Sequence, residues 1–215
     1  MKNNKIKAVI FDIDGVLLDS FEANLKFFQN LMNEFNYKPP TRENFKNTFY
    51  LSMLDVIKYF TNSTDEEEIN KIWEAGRDKG SLYPMELLKT PENLELVLEE
   101  LNKNYLLGLA TSRVKESIYS IPQLAKLEKY FKVAISAYDT EKHKPYPDPL
   151  LKAAEKLEVM PEQCVYVGDL ENDMLAAKAA GMKIIIYSKN KVDGADYQTS
   201  SFKEIIELVK KCSEE

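Results

Sequence analysis

Cysteine is scarce in this chain. Its two copies, Cys164 and Cys212, make neither a disulfide framework nor a metal-ligand pair. Cys164 reads as a core strand residue rather than a nucleophile. Long apolar runs are missing as well. The run Ala8-Val9-Ile10-Phe11 stops at an aspartate, too soon for a signal-peptide core, and no other stretch approaches the length of a membrane span. An excess of basic residues is absent too. A net charge of −6 argues against a nucleic-acid or anionic-membrane partner, which would want a basic face. Histidine occurs once, as His143, and reads as a surface loop residue. There is no internal repeat and no low-complexity tract. These absences lead to the expectation of a soluble, cytoplasmic protein; a monomer or weak dimer is expected as well.

What is present suffices for a real core. The 215 residues are 44% hydrophobic and 30% charged, enough for one large domain or one domain carrying a smaller one. Ile6–Phe11 reads as a buried strand. From about residue 20 to about 80 the spacing is helical. Phe21, Leu25, Phe28, Met32 and Phe35 share one face, and Pro39-Pro40 breaks the pattern. Thr41 is placed to cap the next helix, and Thr64-Asp65-Glu66-Glu67 reads as a capping box. After Gly80 the texture changes. Thr90-Pro91 opens a helix, YLLGLATS is a strand ending at Thr111, and Val133–Ser136 is a short strand. Asp148-Pro149 reads as an N-cap followed by proline at the first helical position. CVYVGD is a strand ending at Asp169, an Ala-rich helix stops at Gly181, KIIIY is a final strand, and Phe202–Lys211 is a closing helix. Strands alternating with helices predict an α/β fold with a doubly wound parallel sheet. The helical block falls after the first strand, so the expected organisation is a core domain, residues 1–18 and 86–215, with an inserted helical domain, residues 19–85.

Four polar clusters stand at or just beyond predicted strand ends: Asp12 and Asp14, Thr111 and Ser112, Lys144, and Asp169 with Asp173. Each alone has a plainer role, as turn acids, a helix cap, a loop lysine or helix-start acids. Together they predict one crevice, because ligands of an open α/β sheet bind outside the carboxyl ends of its strands. Three carboxylates in one crevice need a cation, and hard oxygen donors suit Mg²⁺, which commonly takes a further oxygen from a substrate phosphate. Thr111 and a neighbouring amide suit phosphate oxygens, and Lys144 supplies a fixed positive charge. A carboxylate can then attack phosphorus, giving covalent catalysis through an aspartyl phosphate.

These motifs resemble the haloacid dehalogenase superfamily, in its capped phosphatase and phosphomutase branch. The resemblance rests on Asp12-Ile13-Asp14-Gly15, Leu109-Ala110-Thr111-Ser112, Lys144-Pro145-Tyr146-Pro147-Asp148, and Gly168-Asp169-Leu170-Glu171-Asn172-Asp173 followed by Ala180-Gly181-Met182. It implies that Asp12 is the nucleophile and an Mg²⁺ ligand. Asp14 would bind Mg²⁺ through its backbone carbonyl and keep its carboxyl as general acid and base. Thr111, the Ser112 backbone and Lys144 would hold the phosphoryl group, Asp169 would complete the protein ligands, and Asp173 would orient waters or Lys144. The helical block would be a cap. Two positions depart from the pattern. Leu170 replaces a frequent serine, and Thr48-Phe49-Tyr50-Leu51 is aromatic where many caps carry a glycine facing the site.

The expected activity is Mg²⁺-dependent hydrolysis of a small phosphate monoester. Phosphomutase chemistry ranks lower because sugar-phosphate mutases of this kind carry a cap histidine, and residues 19–85 contain none. A dehalogenase needs neither Asp14 nor Asp169. A non-catalytic binding module would not need the reactive groups, all of which are present. Arg42, Lys46 and Arg77 are the cap cations that an anionic leaving group would meet, or else they are solvated. Phe49 with Tyr50 is expected to face the site and favour small substrates.

Overall fold

The computed structural model describes residues 5–49, 51–78 and 83–214. The chain divides into two compact units, Met1–Asp19 with Thr90–Glu215, and Ser20–Lys89. In the first unit one parallel sheet contains β1 (Ala8–Phe11), β2 (Leu106–Ala110), β3 (Phe131–Ile135), β4 (Cys164–Gly168), β5 (Lys183–Tyr187) and β6 (Tyr197–Thr199), in the order β3-β2-β1-β4-β5-β6. The doubly wound α/β architecture expected from the sequence is the one observed. β6 was not foreseen. Only three residues long, Tyr-Gln-Thr, it carries too little apolar signal to read as a strand.

The second unit is helical: α1 (Phe21–Glu34), α2 (Arg42–Lys46), α3 (Met53–Thr61) and α4 (Glu66–Asp78). Thr41 caps α2 by accepting from the Asn44 amide, and Ser52 caps α3 by accepting from Asp55. At α4 the capping side chain is Asp65, which accepts from the amides of Glu67 and Glu68, so the start lies one residue beyond the expected Thr64. The apolar stripes meet around Phe28, Met32, Phe45, Ile57 and Ile72. Phe49 belongs to this cluster, with ring centroids 5.2 Å from Phe21 and 6.2 Å from Phe45. Its ring therefore serves the unit's own core. Tyr50 and Gly80 lie outside the described residues. Arg42 pairs with Glu22 and lies over the Phe21 ring, Arg77 covers Trp73, and Lys46 is exposed.

In the first unit the helices are α5 (Leu94–Asn102), the single turns α6 (Lys115–Ile118) and α7 (Pro122–Ala125), then α8 (Asp148–Lys156), α9 (Glu171–Ala180) and α10 (Ile205–Glu214). A sheet of parallel strands must be covered on both faces. Side chains of β1 alternate, so Ala8 and Ile10 point one way and Val9 and Phe11 the other. Ala8 and Ile10 join Leu150 and Ala153 of α8 and Ala176 and Ala177 of α9. Phe11 meets Phe131 and Phe202, with centroids at 6.2 and 6.5 Å. α5 begins at Leu94 rather than at Thr90-Pro91, because Asn93 is held in the left-handed region at φ 62° and interrupts any earlier turn. Asp148 is the first residue of α8 and not its cap; Pro147 precedes it.

Strand order fixes the place of any ligand site. From β1 the chain steps outward through β2 and β3, then returns to β4 on the other side of β1. The switch point therefore lies at the carboxyl ends of β1 and β4, where Asp12 and Asp169 follow.

Candidate active site

Asp12 leaves β1 with its amide donating to the carbonyl of Val167 in β4, which ties the two strand ends together. Its side chain is nearly buried. Oδ1 accepts from the Ile13 amide at 2.7 Å and Oδ2 from Lys144 Nζ at 2.7 Å. Lys144 reaches in from the loop after β3, and its side chain is only 7% exposed. Its ammonium has three protons to donate. Three acceptors surround it: Asp12 Oδ2, Asp173 Oδ1 at 2.7 Å and the Tyr166 hydroxyl at 3.0 Å. Tyr166 in turn donates to the carbonyl of Ala110, the last residue of β2.

Asp173 sits in the first turn of α9. Its Oδ1 faces Lys144, and Oδ2 accepts from the amides of Asp169 and Leu170. The Leu170 amide thus serves this turn. Asp12, Asp169 and Asp173 each offer a carboxylate oxygen within 4.8 Å of the others. Thr111 is buried, its amide donating to Ile135 and its Oγ1 accepting from the Arg113 amide. Ser112, next to it, is exposed. The Asp14 carboxylate pairs with Arg113, whose Nε donates to Oδ2 at 2.7 Å and Nη2 to Oδ1 at 2.8 Å.

The electrostatics follow from crowding. Burial pushes the Asp12 carboxyl up to about 6; Lys144 pulls it down, and Asp173 and Asp14 add to the rise. Burial, then Asp173 and Asp12, hold Asp169 well above the usual carboxylate range. For Lys144, burial opposes the charge, but Asp12 and Asp173 outweigh it and keep the ammonium far above its ordinary value. Burial keeps Tyr166 a neutral hydroxyl. Three acids share the crevice with one lysine ammonium, so were all of them ionised the crevice would carry surplus negative charge, which, after burial, is why Asp169 holds its proton so tightly.

A divalent cation fits that surplus. Asp169 Oδ1 is buried without a hydrogen-bond partner among the described residues. A buried carboxylate oxygen left so is costly unless a cation or ordered water meets it. The donors are hard oxygens, which suit Mg²⁺ rather than a softer metal. Gly15 keeps the space clear on one side: at φ +81°, a Cβ there would lie 2.1 Å from Asp169 Oδ2.

Two residues of this network were not singled out from the sequence. Arg113 stands two positions after Thr111, in a strand-end cluster, which is the signal that marks it. Tyr166 lies mid-strand, where an aromatic reads simply as core.

The haloacid dehalogenase-like hydrolase family profile matches residues 9–187. A pyrophosphatase PpaX of Bacillus cereus is 31% identical over 83% of this chain and 82% of its own length. Among solved structures, a haloacid dehalogenase-superfamily hydrolase of subfamily IA, variant 1, from Geobacter sulfurreducens is 32% identical with a TM-score of 0.72, covering 95% of this chain and 96% of that one. A beta-phosphoglucomutase of Clostridium difficile shares the fold at a TM-score of 0.82 and 20% identity, with 97% of each chain covered.

Proposed function

Because this chain belongs to the haloacid dehalogenase-like hydrolases and is a phosphate-ester hydrolase, we propose that it cleaves a small phosphorylated molecule through an aspartyl phosphate on Asp12, with Mg²⁺ as its cofactor. The observation that carries this reading is the buried Asp12–Lys144–Asp173 chain beside the unpartnered oxygen of Asp169. Asp12, Asp169 and the backbone carbonyl of Asp14 would hold the ion. When bound, it neutralises phosphate charge and so lets a carboxylate approach phosphorus.

This chain's residues do the rest. An oxygen of Asp12 forms a bond to phosphorus as the bond to the leaving oxygen breaks, and Asp14 gives that oxygen a proton. Water then attacks phosphorus, Asp14 takes the water's proton, and the Asp12–phosphorus bond breaks. Lys144 holds the phosphoryl oxygens with Thr111 and the Ser112 amide. Asp173 and Tyr166 keep the lysine in place. Reading the helical unit as a cap is part of the same proposal, as is a cytoplasmic location.

The name of the Bacillus cereus relative makes pyrophosphate the first substrate to try. The test is phosphate release from pyrophosphate, phosphoglycolate, sugar phosphates and nucleotides, with and without Mg²⁺. Activity should require Mg²⁺ and fall with Ca²⁺, which takes more ligands at longer distances. Full turnover in excess EDTA would sink the metal assignment.

A further inference from the structure

A carboxyl group that moves protons during a reaction has to be aimed as well as placed. An aspartate hanging from a loop has two side-chain torsions to settle. For Asp14 both are settled by Arg113. Its Nε and Nη2 meet the two carboxylate oxygens at 2.7 and 2.8 Å, a bidentate fork that fixes the plane of the carboxylate as well as its position. The pair is largely shielded, with side chains 12% and 25% exposed. The fork is itself anchored. The Arg113 amide donates to Thr111 Oγ1, and the Arg113 carbonyl accepts from the Ala137 amide at 2.8 Å. Asp14 hangs beyond β1 and Arg113 beyond β2, and those strands pair in register, Phe11 beside Leu109. The arginine thus transmits the rigidity of the sheet to the Asp14 carboxyl.

We propose that Arg113 is a positioning residue for Asp14: its fork holds the carboxyl in the orientation from which it protonates the leaving oxygen and later deprotonates water. The inference rests on the role given to Asp14 above. During turnover one oxygen of Asp14 must carry the proton, so one bond of the fork opens while the other keeps the carboxyl in line. A lysine at position 113 would supply charge at one oxygen but no plane.

The proposal separates from a phosphate-binding role by what each predicts. A residue acting through Asp14 matters most where the leaving oxygen most needs a proton. The experiment measures kcat/KM, which covers the steps up to the aspartyl phosphate, for an alkyl phosphate and an activated aryl phosphate. The proteins are wild type, Arg113→Ala, Arg113→Lys, Asp14→Asn and the double variant Arg113→Ala/Asp14→Asn. The inhibition constant of inorganic phosphate is measured for each. Arg113→Ala should lose about 10- to 100-fold on the alkyl ester, part of the roughly 10²–10⁴-fold that general acid–base help is worth, and clearly less on the aryl ester. Arg113→Lys should recover only part of the loss. The double variant should be no worse than Asp14→Asn alone, and inhibition by phosphate should stay within about twofold. Equal losses on both esters, losses that multiply in the double variant, or a weakened phosphate inhibition would each overturn the proposal. Should Arg113→Ala fail to fold by circular dichroism, the ester comparison and phosphate inhibition of Arg113→Lys decide it. An inactive wild type would instead refute the functional reading itself.

Discussion

Asp12 and Asp14 stand two positions apart, yet their carboxyls have different neighbours, a lysine for one and an arginine for the other. That difference separates their expected variants. Asp12→Asn has no carboxylate to attack phosphorus and should form no phosphoenzyme. Asp14→Asn keeps its backbone but cannot exchange a proton, so turnover should fall by about 10²–10⁴-fold. With an activated aryl phosphate its first step should suffer less than hydrolysis, and phosphate should accumulate on Asp12. Mass spectrometry after acid quench reads both outcomes; phosphate found on Asp14 of the wild type would reverse the roles. The acids, Thr111 and Lys144 were legible in the sequence because each follows an apolar run that had to be a strand, and strand ends converge. Arg113 carried only the weak signal of its place two positions past Thr111, and Tyr166 none, because their importance lies in partners distant in sequence. Arg113 meets an acid 99 positions away, and Tyr166 a lysine 22 positions away. No local pattern carries such pairings.

Among the elements, the strongly patterned ones were readable and the weakly patterned ones were not. β1 and β4 are continuous apolar runs buried on both faces. The end of α9 was marked by Gly181, observed at φ 74° as the helix's C-terminal cap. β6, with no such run, and the start of α5, set by the left-handed Asn93, escaped notice. Two glycines with positive φ show how position decides the cost of one methyl group. At Gly181 a Cβ meets nothing within 4 Å, so Gly181→Ala carries only left-handed strain, about 1–2 kcal/mol. The melting temperature should drop by about 2–8 °C with kcat unchanged. At Gly15 the same methyl would lie 2.1 Å from Asp169 Oδ2, so Gly15→Ala adds the displacement of that carboxylate. It should abolish most activity and the stabilisation by Mg²⁺ together. Calorimetry with and without Mg²⁺ tests the pair; an active, Mg²⁺-responsive Gly15→Ala would refute the close approach.

For the molecule as a whole, the acid cluster ties stability to pH and to the cation. Asp12, raised to about 6, and Asp169, also raised, bind protons more tightly folded than unfolded. Such groups contribute stability that is fully present below the ordinary carboxylate pKa near 4 and is lost as pH rises through their folded-state pKa, about 6 for Asp12 and well above the ordinary range for Asp169. Without a divalent ion, these two carboxyls therefore make the protein less stable at pH 8 than at pH 5. Mg²⁺ binds the deprotonated carboxylates, so it competes with those protons and is bound more weakly at the lower pH. At 100 times its dissociation constant a ligand adds about 2.7 kcal/mol. In a chain of this size that raises the melting temperature by roughly 5–10 °C. We expect that rise at pH 8 and a clearly smaller one at pH 5 at the same Mg²⁺ concentration. Thermal melts in EDTA and in Mg²⁺ at both pH values measure it without any substrate. A shift equal at both pH values would mean that the ion binds away from Asp12 and Asp169, and in Asp169→Asn the shift at pH 8 should all but vanish.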